Sequence, residues 1–226
     1  MSRFSEYFDR IVVIHRHCRD DRSAHVYAQI YKYGFNCSWF WAHDLVEGDA
    51  SKTGNWAAVQ SHRGVLEIVG QNIYGDRVLV LEDDFEIVEP DPSKPWQHDA
   101  HADRTLPFNE QFAAIIDEVP DDWDMLYLGG SYAEPPRERI SKHVIRTARM
   151  MTTSSYAITP AQARRMAPHI GGNVPIDSQF GEFNVKCNCY CLQPRLFVQY
   201  TNHSDLQGRV MDNATSMLDP NHEKMV

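Results

Sequence analysis

The chain contains no apolar run approaching the roughly 20 residues that a membrane-spanning helix needs. Residues Met1 to Glu6 lack the apolar core of an export signal. A cytoplasmic location is therefore expected, unless a targeting segment has been removed. Cysteine is scarce and odd in number, at five, so free thiols are expected rather than a disulfide framework. Excess positive charge is missing too. The formal net charge is −9, which excludes a global basic field for DNA or RNA. An anionic ligand would need a local arginine cluster or a metal. Neither the Gly-x-x-x-x-Gly-Lys phosphate loop nor the Gly-x-Gly-x-x-Gly dinucleotide fingerprint occurs. No repeat or low-complexity tract interrupts the 226 residues, which suit one domain with a substantial core.

What is present alternates between strand and helix patterns. Residues 10–14 read as a strand whose unbroken apolar run, Ile11 to Ile14, suits a sheet covered on both faces. A helix is expected up to Tyr33, with Gly34 as its stop. Residues 37–42 read as a second strand. Trp56, Val59, His62, Leu66 and Val69 share one stripe of a helix over 56–69. Residues 77–81 read as a third strand, ending directly in Glu82, Asp83 and Asp84. Phe108, Phe112, Ile115 and Val119 repeat at helical spacing. Further strands are expected over 125–128, 154–158 and within 190–198, and Thr159-Pro160 reads as a helix start. Residues 90–107, rich in proline and polar groups, read as a long irregular loop, and a loose arm is expected from about 209. The sum is an α/β sandwich with a mainly parallel sheet.

In open α/β sheets, ligands bind beyond the carboxyl ends of the strands. Three adjacent carboxylates at such an end repel one another unless something cationic neutralises them. Residues two apart on extended chain share a side, so Glu82 and Asp84 can converge while Asp83 faces away. Hard oxygen ligands suit Mg²⁺ or Mn²⁺, completed by phosphate oxygens and water. The plainer reading is a solvated acidic turn. Arg16, Arg19 and Arg22, after the first strand, form either a phosphate-binding cluster or a solvated turn with Asp20 and Asp21.

Several blocks, in order, resemble glycosyltransferase family 25, which includes lipopolysaccharide and collagen β-galactosyltransferases. They are the opening strand Ile11–Ile14 with Asp21-Arg22, then Gln60 to Arg63, and the strand Val78–Leu81 with its acidic triplet. Trp123-Asp124 with Leu128-Gly129 follows, then Thr153 to Ile158, Pro175 to Asp177, Tyr190 to Gln199 and Ser204 to Leu206. The resemblance spans about residues 8 to 208. One departure is His15-Arg16, where the family usually carries Asn-Leu. The resemblance implies a GT-A-like, Rossmann-like three-layer sandwich, a UDP-sugar donor, Mn²⁺ (or Mg²⁺), and an inverting transfer of galactose or glucose. The acceptor hydroxyl would belong to a glycan, a lipid-linked sugar or a protein.

On that reading Glu82 and Asp84 hold the metal, with His203 returning to it late in the chain and Asp205 competing for that place. His15, Arg16, Arg22, Ser61, Arg63 and Asp83 are assigned to the nucleotide-sugar. An inverting transfer needs a carboxylate to take the acceptor proton. Asp177 is the candidate, with a helix N-cap as its alternative role, and Glu182 is held in reserve. Trp96 is assigned to stacking on an acceptor sugar; the other tryptophans and the Cys187, Cys189 and Cys191 thiols are assigned to packing. Two other functions remain open: a metal-dependent phosphohydrolase or nucleotidyltransferase, and a catalytically inactive binding module.

Overall fold

The computed structural model describes residues 2–44, 53–89, 106–204 and 209–211, with backbone alone for 202–204. The chain opens with α1 (Arg3–Tyr7), β1 (Arg10–His15), α2 (Asp20–Tyr33), β2 (Ser38–Trp41), α3 (Gly54–Gly70) and β3 (Val78–Glu82). Then come β4 (Phe85–Ile87), α4 (Phe108–Ile116), β5 (Met125–Tyr127), β6 (Ser131–Tyr132), β7 (Glu138–Arg139), β8 (Val144–Arg146) and β9 (Met150–Met151). The last third holds β10 (Ser155–Ile158), α5 (Pro160–Met166), α6 (Ile176–Asn184), β11 (Cys189–Leu192), β12 (Phe197–Gln199), β13 (Asn202–Ser204) and β14 (Arg209–Met211).

The strand runs are apolar on both sides because both faces of the sheet are covered. Along β1, Ile11 and Val13 enter one core cluster while Val12 and Ile14 enter the other. Along β3, Leu79 and Leu81 alternate in the same way with Val78 and Val80. The first face carries Phe4 of α1, Val26 of α2 and Phe112 of α4; the second carries Leu66 of α3, Met166 of α5 and Phe180 of α6. This is the expected three-layer α/β sandwich. Each such fully buried apolar side chain contributes about 2 kcal/mol.

The large sheet runs in the order β2-β1-β3-β10-β5-β11-β8-β7. β2, β1 and β3 are parallel to one another, and β10 is inserted antiparallel between β3 and β5. β11 returns parallel to β5, and β8 runs against β11. Local chemistry sets the helix ends. Gly34 adopts φ 68° and donates its N–H to Ile30 O at 2.9 Å, the left-handed stop that glycine favours. Thr159 accepts from Gln162 N at 3.3 Å ahead of Pro160, as expected for a cap worth about 1 kcal/mol.

Two expectations meet a different placement. Trp41, assigned to the core, is 57% exposed because β2 is the edge strand of the sheet. Residues 209–211, expected to begin a loose arm, pair antiparallel with β13. Most of the expected 90–107 loop lies outside the described residues, and Trp96 and Asp205 with it.

Candidate active site

β3 carries its apolar residues to the edge of the core and then turns. The acidic residues sit at that turn, between β3 in the large sheet and β4, which pairs instead with β12. They border a cleft of about 320 Å³ at the carboxyl ends of β1 and β3. The other walls come from Arg16 after β1, Ser61 of α3, Asp177 of α6, Gln199 at the end of β12, Tyr200 after it, and Met211 of β14.

Register explains which side chains meet. β10 runs antiparallel to β3, with Ser155 opposite Leu81 and Glu82 N donating to Ser154 O at 3.0 Å. That ladder brings Thr153 to Glu82, where its hydroxyl donates to Oε1 at 2.6 Å. His62, on the buried stripe of α3, lies 3.2 Å from the same oxygen and 3.0 Å from the Tyr156 hydroxyl. β12 places Gln199 opposite Phe85, one residue beyond Asp84. The Gln199 amide nitrogen then lies 3.3 Å from Glu82 Oε2 and 3.4 Å from Asp84 Oδ1. Glu82 and Asp84 thus converge on one donor, as their spacing predicts.

Asp83 turns the other way. Its Oδ2 lies 2.8 Å from His15 Nδ1 and accepts the Arg16 N–H at 3.2 Å, while its Oδ1 accepts from Arg22 Nη1 at 2.6 Å. Arg22 Nη1 also lies 3.4 Å from Asp84 Oδ2.

The three carboxyl groups titrate differently for physical reasons. Burial opposes ionisation of Asp83, but the His15 hydrogen bond and the Arg22 charge outweigh it and hold the acid below its ordinary range. Burial also opposes ionisation of Glu82, and the His62 and Thr153 hydrogen bonds again win. At Asp84 burial and the neighbouring Glu82 charge push the acid up to about 7; the Arg22 charge and the Gln199 hydrogen bond favour ionisation but do not prevail. Asp84 is buried, with Gln199 Nε2 3.4 Å from Oδ1 and Arg22 Nη1 3.4 Å from Oδ2. Among the described residues, no group of three or more His, Cys, Asp or Glu side chains is arranged to hold a metal ion. A hard cation held by Asp84 and Glu82 would take its remaining ligands from phosphate oxygens and water, which is how Mg²⁺ and Mn²⁺ are commonly bound.

The remaining sequence candidates separate in space. Arg16, Arg22, Ser61, Asp83 and Asp177 border the cleft. His15 is 2% exposed, behind Asp83. The Ser61 hydroxyl is engaged by its own helix and the adjacent loop, donating to Ala57 O at 2.7 Å and accepting His43 N–H at 2.9 Å. Arg63 points outward to Glu67 at 2.9 Å, and Glu182 pairs with Arg149 at 2.7 Å; neither lines the cleft. Asp177 does line it. It lies in the first turn of α6, behind an N-cap position held by Pro175. Its Oδ1 accepts Ser178 N–H at 2.7 Å, and its Oδ2 meets Thr152 N–H at 3.5 Å. The backbone of His203 pairs with Val210; its side chain lies outside the described groups. Cys189 and Cys191 are free thiols packed inside the second core cluster, as is Cys187.

Sequence reasoning missed Gln199 and Thr153 as partners of the acidic turn. No local pattern marks them, because each reaches the turn through pairing with a distant strand.

No protein-family model matches the chain, and the curated protein sequences contain no match. Solved structures do overlap it loosely. Protein A197 from STIV is 10% identical, with a TM-score of 0.41 over 90% of this chain and 94% of that one. A Drosophila β-1,4-galactosyltransferase 7 variant, in complex with manganese, UDP-Gal and xylobiose, is 10% identical, with a TM-score of 0.42 over 90% of this chain and 74% of that one. A glycosyltransferase involved in the glycosylation of the major capsid of PBCV-1 is 10% identical, with a TM-score of 0.36 over 82% of this chain and 94% of that one. At such scores these overlaps identify no activity.

Proposed function

We propose that this chain is a metal-assisted glycosyltransferase that moves a hexose, galactose or glucose, from a UDP-sugar to an acceptor hydroxyl. The observation that carries the reading is a cleft holding two kinds of carboxylate. Asp84 and Glu82 converge at the end of β3, and Asp177 lines the same cleft from α6. A phosphohydrolase or nucleotidyltransferase would use the same groups with water or another hydroxyl as nucleophile, and the products separate the readings. The family 25 resemblance supports the same reading through the strand ending in Glu82, Asp83 and Asp84.

Asp84, with Glu82, would hold Mn²⁺ or Mg²⁺. When bound, such a cation neutralises the diphosphate and stabilises its departure. Arg16 and Arg22 border the cleft beside the acidic turn and would face the diphosphate oxygens. Asp177 accepts the acceptor hydroxyl proton as that oxygen bonds to the anomeric carbon. The bond from the anomeric carbon to the phosphate oxygen breaks, UDP leaves with its electron pair, and the configuration inverts. The acceptor is a glycan, lipid-linked or protein hydroxyl.

The test is a thermal-shift screen with UDP-galactose, UDP-glucose, GDP-mannose and CMP-sialic acid, each with Mn²⁺, Mg²⁺ or EDTA. A ligand that binds only the native state raises the melting temperature by mass action. The expected result is a Mn²⁺-dependent shift with a UDP-hexose, followed by UDP release in turnover. UDP-hexose binding without sugar transfer or hydrolysis would favour an inactive binding module. Release of UMP and sugar phosphate would favour the phosphohydrolase.

A further inference from the structure

We infer, resting on the nucleotide-sugar reading, that Asp83 and His15 are positioning residues. They hold the segment from Arg16 to Arg22 as a preformed cradle for a diphosphate and contact no substrate themselves. Asp83 is 4% exposed, and both its oxygens are turned to protein donors. One oxygen receives the backbone N–H of Arg16, the other the guanidinium of Arg22, so a single carboxylate ties the two ends of the basic segment together. His15 extends the tie. Its Nδ1 meets Asp83 at 2.8 Å and its Nε2 meets the Ser23 hydroxyl at 2.8 Å, linking the end of β1 to the first turn of α2. The imidazole is wedged edge-on against Trp39, with ring centroids 5.1 Å apart, which fixes its plane.

The Asp–His–Ser chain has the spacing of a nucleophilic triad, but Ser23 does not line the cleft. The chain therefore ends in a structural hydroxyl. Its effect falls on the arginines. Long cationic side chains lose rotamer freedom when they bind, and a segment already held in place lowers that cost. Asp84, one peptide bond away, lines the same cleft. Asp83 thus gives both its oxygens to the basic segment, whereas Asp84 meets that segment only through Arg22 Nη1, at 3.4 Å.

Two measurements on the full chain test this. UDP binding at saturating Mn²⁺, and Mn²⁺ binding to the protein without nucleotide, are measured by calorimetry for the wild type and for His15→Ala, His15→Asn and Asp83→Asn. Amide hydrogen exchange is followed in the same proteins. His15→Ala is expected to weaken UDP about tenfold, the equivalent of roughly one lost hydrogen bond, while Mn²⁺ affinity is unchanged. His15→Asn, whose amide can still donate to Asp83, is expected to recover most of that loss. Amides of residues 16–23 should exchange faster in His15→Ala, and those of β3 should not. Unchanged UDP affinity in His15→Ala, or an equal loss of Mn²⁺ affinity, overturns the proposal. Should the wild type bind no UDP, the nucleotide-sugar reading fails, and the exchange data still decide the anchor: faster exchange confined to 16–23 sustains it, and unchanged exchange overturns it.

Discussion

Gln199 and Asp84 are joined by one amide nitrogen, 3.4 Å from Asp84 Oδ1, which also lies 3.3 Å from Glu82 Oε2. The donor comes from the end of β12 and the acceptors from the end of β3, so pairing of distant chain segments sets the spacing of the two carboxylates. Gln199→Leu is expected to lower stability by about 1 kcal/mol through the lost charge-assisted contacts. Added Mn²⁺ should restore much of the melting temperature. A variant as stable as the wild type without metal would show that the shared amide does not support the turn.

Asp84→Asn is expected to reduce UDP-hexose turnover by roughly 10²-fold or more, the scale of losing one electrostatic stabiliser. Circular dichroism should show the fold intact. The apo protein should melt no lower than wild type, since a buried carboxylate beside Glu82 is removed. Full activity in this variant would remove the metal assignment.

Asp177 and Glu182 lie on the same helix but face different surroundings. Asp177→Asn is expected to lower kcat by about 10²- to 10⁴-fold with UDP affinity retained, as for loss of a general base. Glu182→Gln should leave turnover unchanged, because Glu182 pairs with Arg149 away from the cleft. Steady-state kinetics on the two variants separate the candidates, and the reverse pattern would reassign the base.

Phe4 is fully buried and its ring meets those of Phe8, Phe35, Phe108 and Phe112 at 5.1 to 5.6 Å. It pins α1 against α4 on one face of the sheet. Phe4→Ala should cost about 3–5 kcal/mol in urea unfolding. A cost under about 1 kcal/mol would mean that α1 contributes little to the core.

Glu118 supplies the pH prediction. Burial opposes its ionisation, but hydrogen bonds from Ser141 and His143 prevail, and its carboxyl lies below the ordinary value. A depressed folded-state pKa gives stability that is present above the unfolded value, near 4.3, and is lost as pH falls through the folded one. Glu118→Gln should therefore lower the melting temperature at pH 7 and converge with wild type in acid. Parallel curves across that range would show that the contact carries no linkage.

The apolar runs of β1 and β3 and the stripe of α3 were legible because burial on both faces, or on one stripe, leaves its period in the residues themselves. Gly34 and Thr159-Pro160 were legible because helix ends need particular backbone and side-chain chemistry. The strand ending in Glu82, Asp83 and Asp84, and the split between alternate residues, followed from the pleat. Strand direction leaves no such trace. An antiparallel β10 and a parallel β3 are equally apolar, so the insertion of β10, and with it the meeting of Thr153 and Glu82, had to come from tertiary structure. The same holds for Gln199, for the turning of Arg63 and Glu182 out of the cleft, and for the burial of His15 behind Asp83. The sequence by itself determined the layers, the strand ends and the place of the acidic turn, since these are local properties. Which donors reach each carboxylate was decided only by the packing of segments far apart in the chain, because hydrogen-bond partners are chosen by distance in space.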